Sequence, residues 1–168
     1  MHPRAAEFVE CARQQHGVDV EVREFPEGTK TAADAAEALD CSVAQIASSI
    51  VFTVDGDATA VDAERTDLAV VITSGANRVG ESALADLLGA DPNAVSPADP
   101  DRIDETLGWS IGGVPPFCHE TDVPTFLDRT LLGFDTVWAA AGTPEAVFAV
   151  SPEQLLSINS VKRAGVAE

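Results

Sequence analysis

The segment Ile111-Gly112-Gly113-Val114-Pro115-Pro116-Phe117-Cys118-His119 carries the strongest chemical signal in the chain. Two glycines at the end of an extended run let the backbone approach a ligand closely and turn its N–H groups outward. Two prolines then stiffen the next stretch of chain and remove competing donors. Such a loop can hold a carbonyl or an oxyanion; a tight turn that needs positive φ accounts for the same residues. His119 has two readings as well, a base or a packing residue on a loop. Cys118 beside it invites a nucleophile reading, but neighbouring residues in extended chain point to opposite sides, so catalysis by Cys118 is not expected. A second segment, Thr73-Ser74-Gly75-Ala76-Asn77-Arg78, comes after an apolar run, where loops often present functional groups. Arg78 beside Asn77 is either a phosphate or carboxylate contact or a surface ion pair. Ser48 and Ser49 precede one apolar run and Asp128 ends another. They do not form a Ser-His-Asp set, because the chain has no G-x-S-x-G elbow. A P-loop, a G-x-G-x-x-G fingerprint, H-E-x-x-H and an EF-hand loop are absent too.

These segments need elements to hold them. Ala5, Phe8, Val9 and Ala12 recur at helical spacing over Arg4 to Gln15, and Gly17 stops the helix. Val18, Val20 and Val22 alternate with charged residues up to Glu24, the period of a half-buried strand. Pro26-Glu27-Gly28 turns the chain, and Thr31 with Asp34 opens an alanine-rich helix ending near Leu39. Ser42-Val43-Ala44-Gln45 is a second capping-box pattern. Strands are predicted at Ser49 to Val54, Thr59 to Asp62 and Asp67 to Thr73, with Asp55-Gly56-Asp57 as a hairpin turn. Val79 to Leu88 reads as a helix stopped by Gly89. Ser96-Pro97-Ala98-Asp99 reads as the opening of another that ends at Gly108. Further strands are expected at Trp109 to Ile111, Thr125 to Asp128, Thr136 to Ala141 and Val147 to Val150, and Ser151-Pro152 caps a last helix through Leu156. Strands in runs, mixed with short helices and lacking a β-α-β rhythm, predict an α+β fold in one domain over residues 1–168.

Composition bounds the rest. The 168 residues include 28 Asp or Glu against 10 Lys or Arg, a formal charge of -18, and 45% hydrophobic residues, enough to build a core. Only Lys30 and Lys162 are lysines, Tyr is absent, and the acids are spread along the chain with no single-sign tail. An acidic, lysine-poor surface suits a salt-accumulating cell, where self-repulsion is screened; a basic partner is the alternative. No apolar stretch approaches the ~20 residues of a membrane span, and the first residues lack a signal peptide's apolar core, so a cytoplasmic location is expected. Cys11, Cys41 and Cys118 are odd in number, widely spaced and free of C-x-x-C pairs. They are expected as reduced thiols with no metal.

Taken in order, Thr29-Lys30-Thr31-Ala32, Gln45-Ile46-Ala47-Ser48-Ser49-Ile50-Val51-Phe52, Asn77-Arg78, Gly112-Gly113-Val114-Pro115-Pro116, Leu127-Asp128 and Val137-Trp138-Ala139-Ala140-Ala141-Gly142 resemble the YbaK/EbsC/ProX aminoacyl-tRNA deacylases, free-standing relatives of the prolyl-tRNA synthetase editing domain. The resemblance runs roughly from Val18 to Leu156. It implies a mixed, mainly antiparallel sheet tending to a barrel with helices around it. It also implies hydrolysis of the ester on a mischarged tRNA, bound at its acceptor end, without a cofactor. On that resemblance Gly112 and Gly113 offer N–H groups to the ester carbonyl and Pro115 shapes the pocket wall. Lys30, Thr31, Asn77, Arg78, Asp128 and Gly142 line or support the site, with His119 near its mouth. One departure stands out: Ser48 falls where many members carry a lysine regarded as central to activity. Ser48 brings no charge, but it can hydrogen-bond a water or the terminal ribose, and Lys30 is the cation that could compensate. Two alternatives remain open. One is a non-catalytic module that docks on a tRNA end or an aminoacyl-tRNA synthetase; the other is hydrolysis of a different small ester or amide.

Overall fold

A computed structural model describes residues 2–25, 31–54, 68–121, 123–158 and 161–165. The expected turns at Pro26-Glu27-Gly28 and Asp55-Gly56-Asp57, the expected strand at Thr59 to Asp62, and Lys30 lie outside the described residues.

Helix α1 (Pro3–His16) starts with proline in its first turn and ends where Gly17 takes a left-handed φ of 65°, its N–H returning to the carbonyls of Ala12 and Arg13. It buries Ala5, Phe8 and Ala12, the stripe its periodicity predicts. Strand β1 (Val22–Glu24) is shorter than the alternation from Val18 suggests, because only these three residues pair with a neighbour; Val18 is still buried. Helix α2 (Ala32–Leu39) is capped by the Thr31 hydroxyl, which accepts from the Asp34 N–H at 3.1 Å. The Ser42/Gln45 capping box closes a single 3-10 turn.

Strand β2 (Ile46–Val54) begins three residues before the apolar run, since its first residues are held between two neighbours. Strand β3 (Leu68–Ser74) is buried along its whole length, as a central strand covered on both faces must be. Helix α3 (Glu81–Leu88) ends at Gly89. Ser96 and Pro97 do not open a helix. They lie in a short strand, β4 (Val95–Pro97), where the Ser96 and Thr53 hydroxyls stand 3.0 Å apart. Asp99 is the true cap, with Pro100 beginning helix α4 (Pro100–Leu107). Trp109 to Ile111 is a turn rather than a strand: Trp109 is buried and its indole N–H donates to the Cys118 carbonyl at 2.8 Å. Strands β5 (Thr125–Asp128), β6 (Val137–Ala140) and β7 (Ala146–Val150) and helix α5 (Pro152–Leu156) fall where the sequence predicts them. Strand β8 (Val161–Ala164), which no sequence signal marks, pairs parallel to β5.

The sheet runs β1-β7-β6-β2-β3-β5-β8 with β4 also on β2. The β1–β7, β7–β6, β2–β3 and β2–β4 pairs are antiparallel, and β6–β2, β3–β5 and β5–β8 are parallel. This is the expected α+β class with a mixed, mainly antiparallel sheet. It stays unclosed, since no pairing among the described residues joins β1 to β8. Period-two alternation sorts the side chains between the faces. Val70 and Ile72 of β3 and Phe148 of β7 meet Phe8 of α1, whereas Val71 and Phe52 meet Leu84 and Leu88 of α3. Ile46 and Val147 meet Ala35, Ala36 and Leu39 of α2.

Cys11 and Cys118 form a disulfide, their Cα atoms 6.3 Å apart, which corrects the expectation of reduced thiols. Their separation of 107 residues conceals that α1 lies against the glycine-proline loop. Cys41 is free.

Candidate functional site

Strand β2 has an incomplete edge. Strand β6 pairs with it at Ile46 and Ala47, and β4 pairs from Phe52 to Val54. Between them, residues 48–51 keep β3 on one edge and, among the described residues, have no strand on the other. The Ile46 carbonyl accepts from the Gly75 N–H at 2.8 Å on the β3 side, and the Val51 carbonyl accepts from the Ala98 N–H at 2.9 Å on the open side. Because successive residues of a strand alternate edges, the main-chain N–H and C=O of Ser49 turn toward the gap.

A cavity of about 650 Å³ occupies that gap. Its walls are largely aliphatic: Ala32 and Ala35 of α2, Ile46 to Val51 of β2, Ile103 of α4, Ile111 and Val114 of the glycine-proline loop, and Trp138, Ala140, Ala146 and Val147 of the β6–β7 hairpin. The polar side chains on it are Thr31, Ser48, Ser49 and Glu145, and Glu145 is the one titratable group among the described lining residues. Ser48 and Ser49 point to opposite faces of β2. The Ser49 hydroxyl oxygen is buried with no hydrogen-bond partner.

The glycine-proline loop reaches the cavity through Gly112, at φ 85°. The Gly113 N–H donates to the Ser110 carbonyl at 3.0 Å and closes a turn, so the Gly112 amide is the one with no partner among the described residues. Gly113 is buried where a Cβ would lie 2.7–2.9 Å from the Thr143 backbone, and a Cβ on Gly112 would touch Pro144 at 3.4 Å. The β6–β7 turn thus packs directly on the two glycines. Gly142 in that turn sits at φ 97°, with no room for a Cβ between the Arg4 carbonyl and Trp109, each 2.8 Å away. His119 Nε2 lies 2.8 Å from the Pro115 carbonyl, so it braces the loop from behind. Pro115 is buried and, like His119, does not line the cavity.

Asp128 and Asn77 form a separate buried cluster. The Asp128 carboxylate accepts from the Ser74 N–H at 3.0 Å, Asn77 Nδ2 at 2.9 Å, the Thr130 N–H at 3.0 Å and the Thr73 hydroxyl at 3.4 Å. Burial alone would push this carboxyl up, but the hydrogen bonds from Asn77, Thr130 and Ser74 outweigh it and hold it below its ordinary value. The cluster ties the end of β3 to β5 and the adjoining 3-10 turn (Arg129–Gly133). The Ser74 hydroxyl extends the tie by donating to the Ala44 carbonyl at 2.8 Å. Arg78 is exposed and apart from the cavity.

Of the residues singled out by sequence, the fold therefore gathers Thr31, Ser48 and Gly112 on the cavity. It places Gly113, Pro115, His119 and Gly142 around the loop that carries Gly112, and it sets Asn77 and Asp128 in a brace between β3 and β5, off the cavity. Two lining residues were not singled out as site residues: Glu145, which carried no signal, and Trp138, which entered only within the Val137–Gly142 motif. Nothing in sequence separates Glu145 from the many other acids, and Trp138 is prominent only in three dimensions. Among the described residues no group of three or more His, Cys, Asp and Glu stands together as a metal site, and no helix is long and apolar enough to cross a membrane.

Residues 26–158 match the aminoacyl-tRNA editing domain family. Over 135 residues, 80% of this chain and 78% of the relative, the sequence is 27% identical to the uncharacterized protein YwhH of Bacillus subtilis (strain 168). A crystal structure of a candidate trans-editing enzyme for prolyl tRNA synthetase superposes with a TM-score of 0.87 at 33% identity, covering 100% of this chain and 99% of that one. The crystal structure of a hypothetical protein shares the fold at a TM-score of 0.79 and 23% identity, over 96% of this chain and 99% of its own. With the family's match spanning the cavity-forming strands and the glycine-proline loop alike, the chain belongs to the aminoacyl-tRNA editing domain family.

Proposed function

We propose that this protein is a free-standing deacylase that hydrolyses the ester between a wrong amino acid and the 3′ end of tRNA. The observation that carries the reading is the gap in the edge of β2, where a mainly aliphatic cavity is lined by Ser48, Ser49 and Gly112, whose amide has no partner among the described residues. A small side chain enters the aliphatic part. The ester carbonyl accepts from the Gly112 N–H, which stabilises the negative charge that grows on its oxygen as water adds to the carbon. Collapse of that intermediate breaks the bond to the ribose oxygen, which takes a proton, and the amino acid leaves as its carboxylate. Ser48 holds the attacking water or the neighbouring ribose hydroxyl. Thr31, while capping α2, lines the same wall. Gly113, Pro115, His119 and Gly142 hold the loop. Asn77 and Asp128 tie β3, the neighbour of β2, to β5, Arg78 serves the tRNA end outside the cavity, and Lys30 is a further cation for the tRNA.

One observation favours a second reading, a module that binds a tRNA end or a synthetase without turnover: no Lys, Arg or His is among the described lining residues. A single assay separates the two. In molar KCl, the purified protein is incubated with a panel of mischarged tRNAs and amino acid release is monitored. Release from at least one is expected; binding with no release from any would establish the module instead. Ser48→Lys places a cation at the cavity and is expected to raise the rate by roughly a hundredfold. A fall in rate would mean that the Ser48 hydroxyl performs a step of its own.

A further inference from the structure

We infer that Glu145 is the anchor for the α-ammonium group of the aminoacyl ester, and so the residue by which the cavity distinguishes an amino acid from any other small acyl group. The inference rests on the deacylase reading and adds a binding role that reading does not contain.

An aminoacyl ester carries a cationic amine one carbon from the carbonyl to be attacked. Wherever the carbonyl sits, the amine lies within a few ångströms of it, and in an otherwise aliphatic cavity it needs a compensating charge. Glu145 is the only titratable group among the described lining residues, and its sign is right. Its carboxylate makes no hydrogen bond or ion pair among the described residues. Its backbone, by contrast, is fixed: its carbonyl accepts from the Phe25 N–H at 2.7 Å, which extends the β1–β7 ladder, and its N–H donates to the Thr143 hydroxyl at 3.4 Å.

The position also suits the carbonyl site. The turn that carries Glu145 is the turn that packs on the glycine loop, with Pro144 against Gly112 and Thr143 against Gly113. The register fixes the face as well. Ala140 pairs with Val147, and Trp138 with Ile46, so Val147, Trp138 and Ile46 share one face of the sheet. Alternation puts Ser48, two residues after Ile46, on that same face, and Glu145 is the exposed turn residue that leads directly into β7. Gly112, Ser48 and Glu145 thus line one cavity, and the amine and carbonyl of an aminoacyl ester stand on adjacent carbons.

The test uses ligands that cannot be hydrolysed: 3′-aminoacylamino-3′-deoxyadenosines with small aliphatic side chains, and their partners in which hydrogen replaces the amine. Titration calorimetry should find the amine-bearing compounds bound about tenfold more tightly by the native protein. Glu145→Gln should abolish that preference while leaving the affinity for the amine-free compounds unchanged. Glu145→Asp should keep part of it. Raising the pH until the ligand amine loses its proton should remove the preference from the native protein too. A full preference retained by Glu145→Gln, with an unaltered melting curve, would overturn the role of Glu145 and leave the deacylase reading standing. Failure of the native protein to bind either set would overturn both.

Discussion

Asp128 shows how much of a fold can converge on one side chain that does not line the cavity. Four donors converge on one buried carboxylate, and through them β3, β5 and the loop after β3 are fixed behind the strand that bears Ser48. Replacing it with Asn leaves donors facing an amide and is expected to cost about 1–3 kcal/mol at neutral pH, read by chemical denaturation. The pH dependence has a definite sign. A carboxyl held below its ordinary value of 3.8 contributes its full stability above that value and loses it as the pH falls through the depressed one. The gap between native protein and Asp128→Asn should therefore be constant near neutrality and narrow in acid below 3.8. In the sequence Asp128 is a strand-ending acid marked only by the family resemblance, since its donors come from residues more than fifty positions away or from the next turn.

At the scale of elements, the cavity is a consequence of two short neighbours on one long strand. Strands β6 and β4 cover β2 at its start and its end, and the stretch between is left to helix and loop. Helix α2 must come close enough to close one side. Gly75 permits it: a Cβ there would lie 2.6 Å from the Val43 carbonyl and 2.7 Å from Ala32. Gly75→Ala must push back either the Ser42–Gln45 turn or the first turn of α2, which carries Thr31 and Ala32 into the cavity. The expected result is a loss of about 1–3 kcal/mol together with weaker binding of the non-hydrolysable ligands, since overpacking against backbone is relieved only by moving it. Destabilisation with unchanged binding would mean that the helix is free to move without altering the wall. Most elements were legible in the sequence because helix caps and period-two runs are local. The failures were local too. Ser96-Pro97 has the chemistry of a cap but is drawn into pairing with Thr53, and Trp109 to Ile111 has the apolarity of a strand but no strand to pair with.

For the whole molecule, the charge of -18 is the dominant fact. The ion pairs Arg4–Glu7 and Arg13–Glu10 lie within α1, so they do little to bind one element to another. Self-repulsion should then weaken the fold in dilute buffer, and molar KCl should raise the melting temperature by ~5 °C or more. Equal melting curves in the two media would remove screening from the account of this surface. What the sequence by itself determined is the local chemistry and the family: caps, strand periodicity, the glycine-proline loop, and an ordered set of short motifs that needed no tertiary contact to recognise. What only the tertiary structure decided is which of those groups meet. It chose Gly112 over Gly113 as the donor without a partner among the described residues, tied Asn77 to Asp128 away from the cavity, joined Cys11 to Cys118, and brought an otherwise anonymous Glu145 to the cavity. The physical reason is that caps and periodicity depend on neighbours within a few residues, whereas the partners of a buried donor, a carboxylate or a thiol are set by strand register and packing across the whole chain.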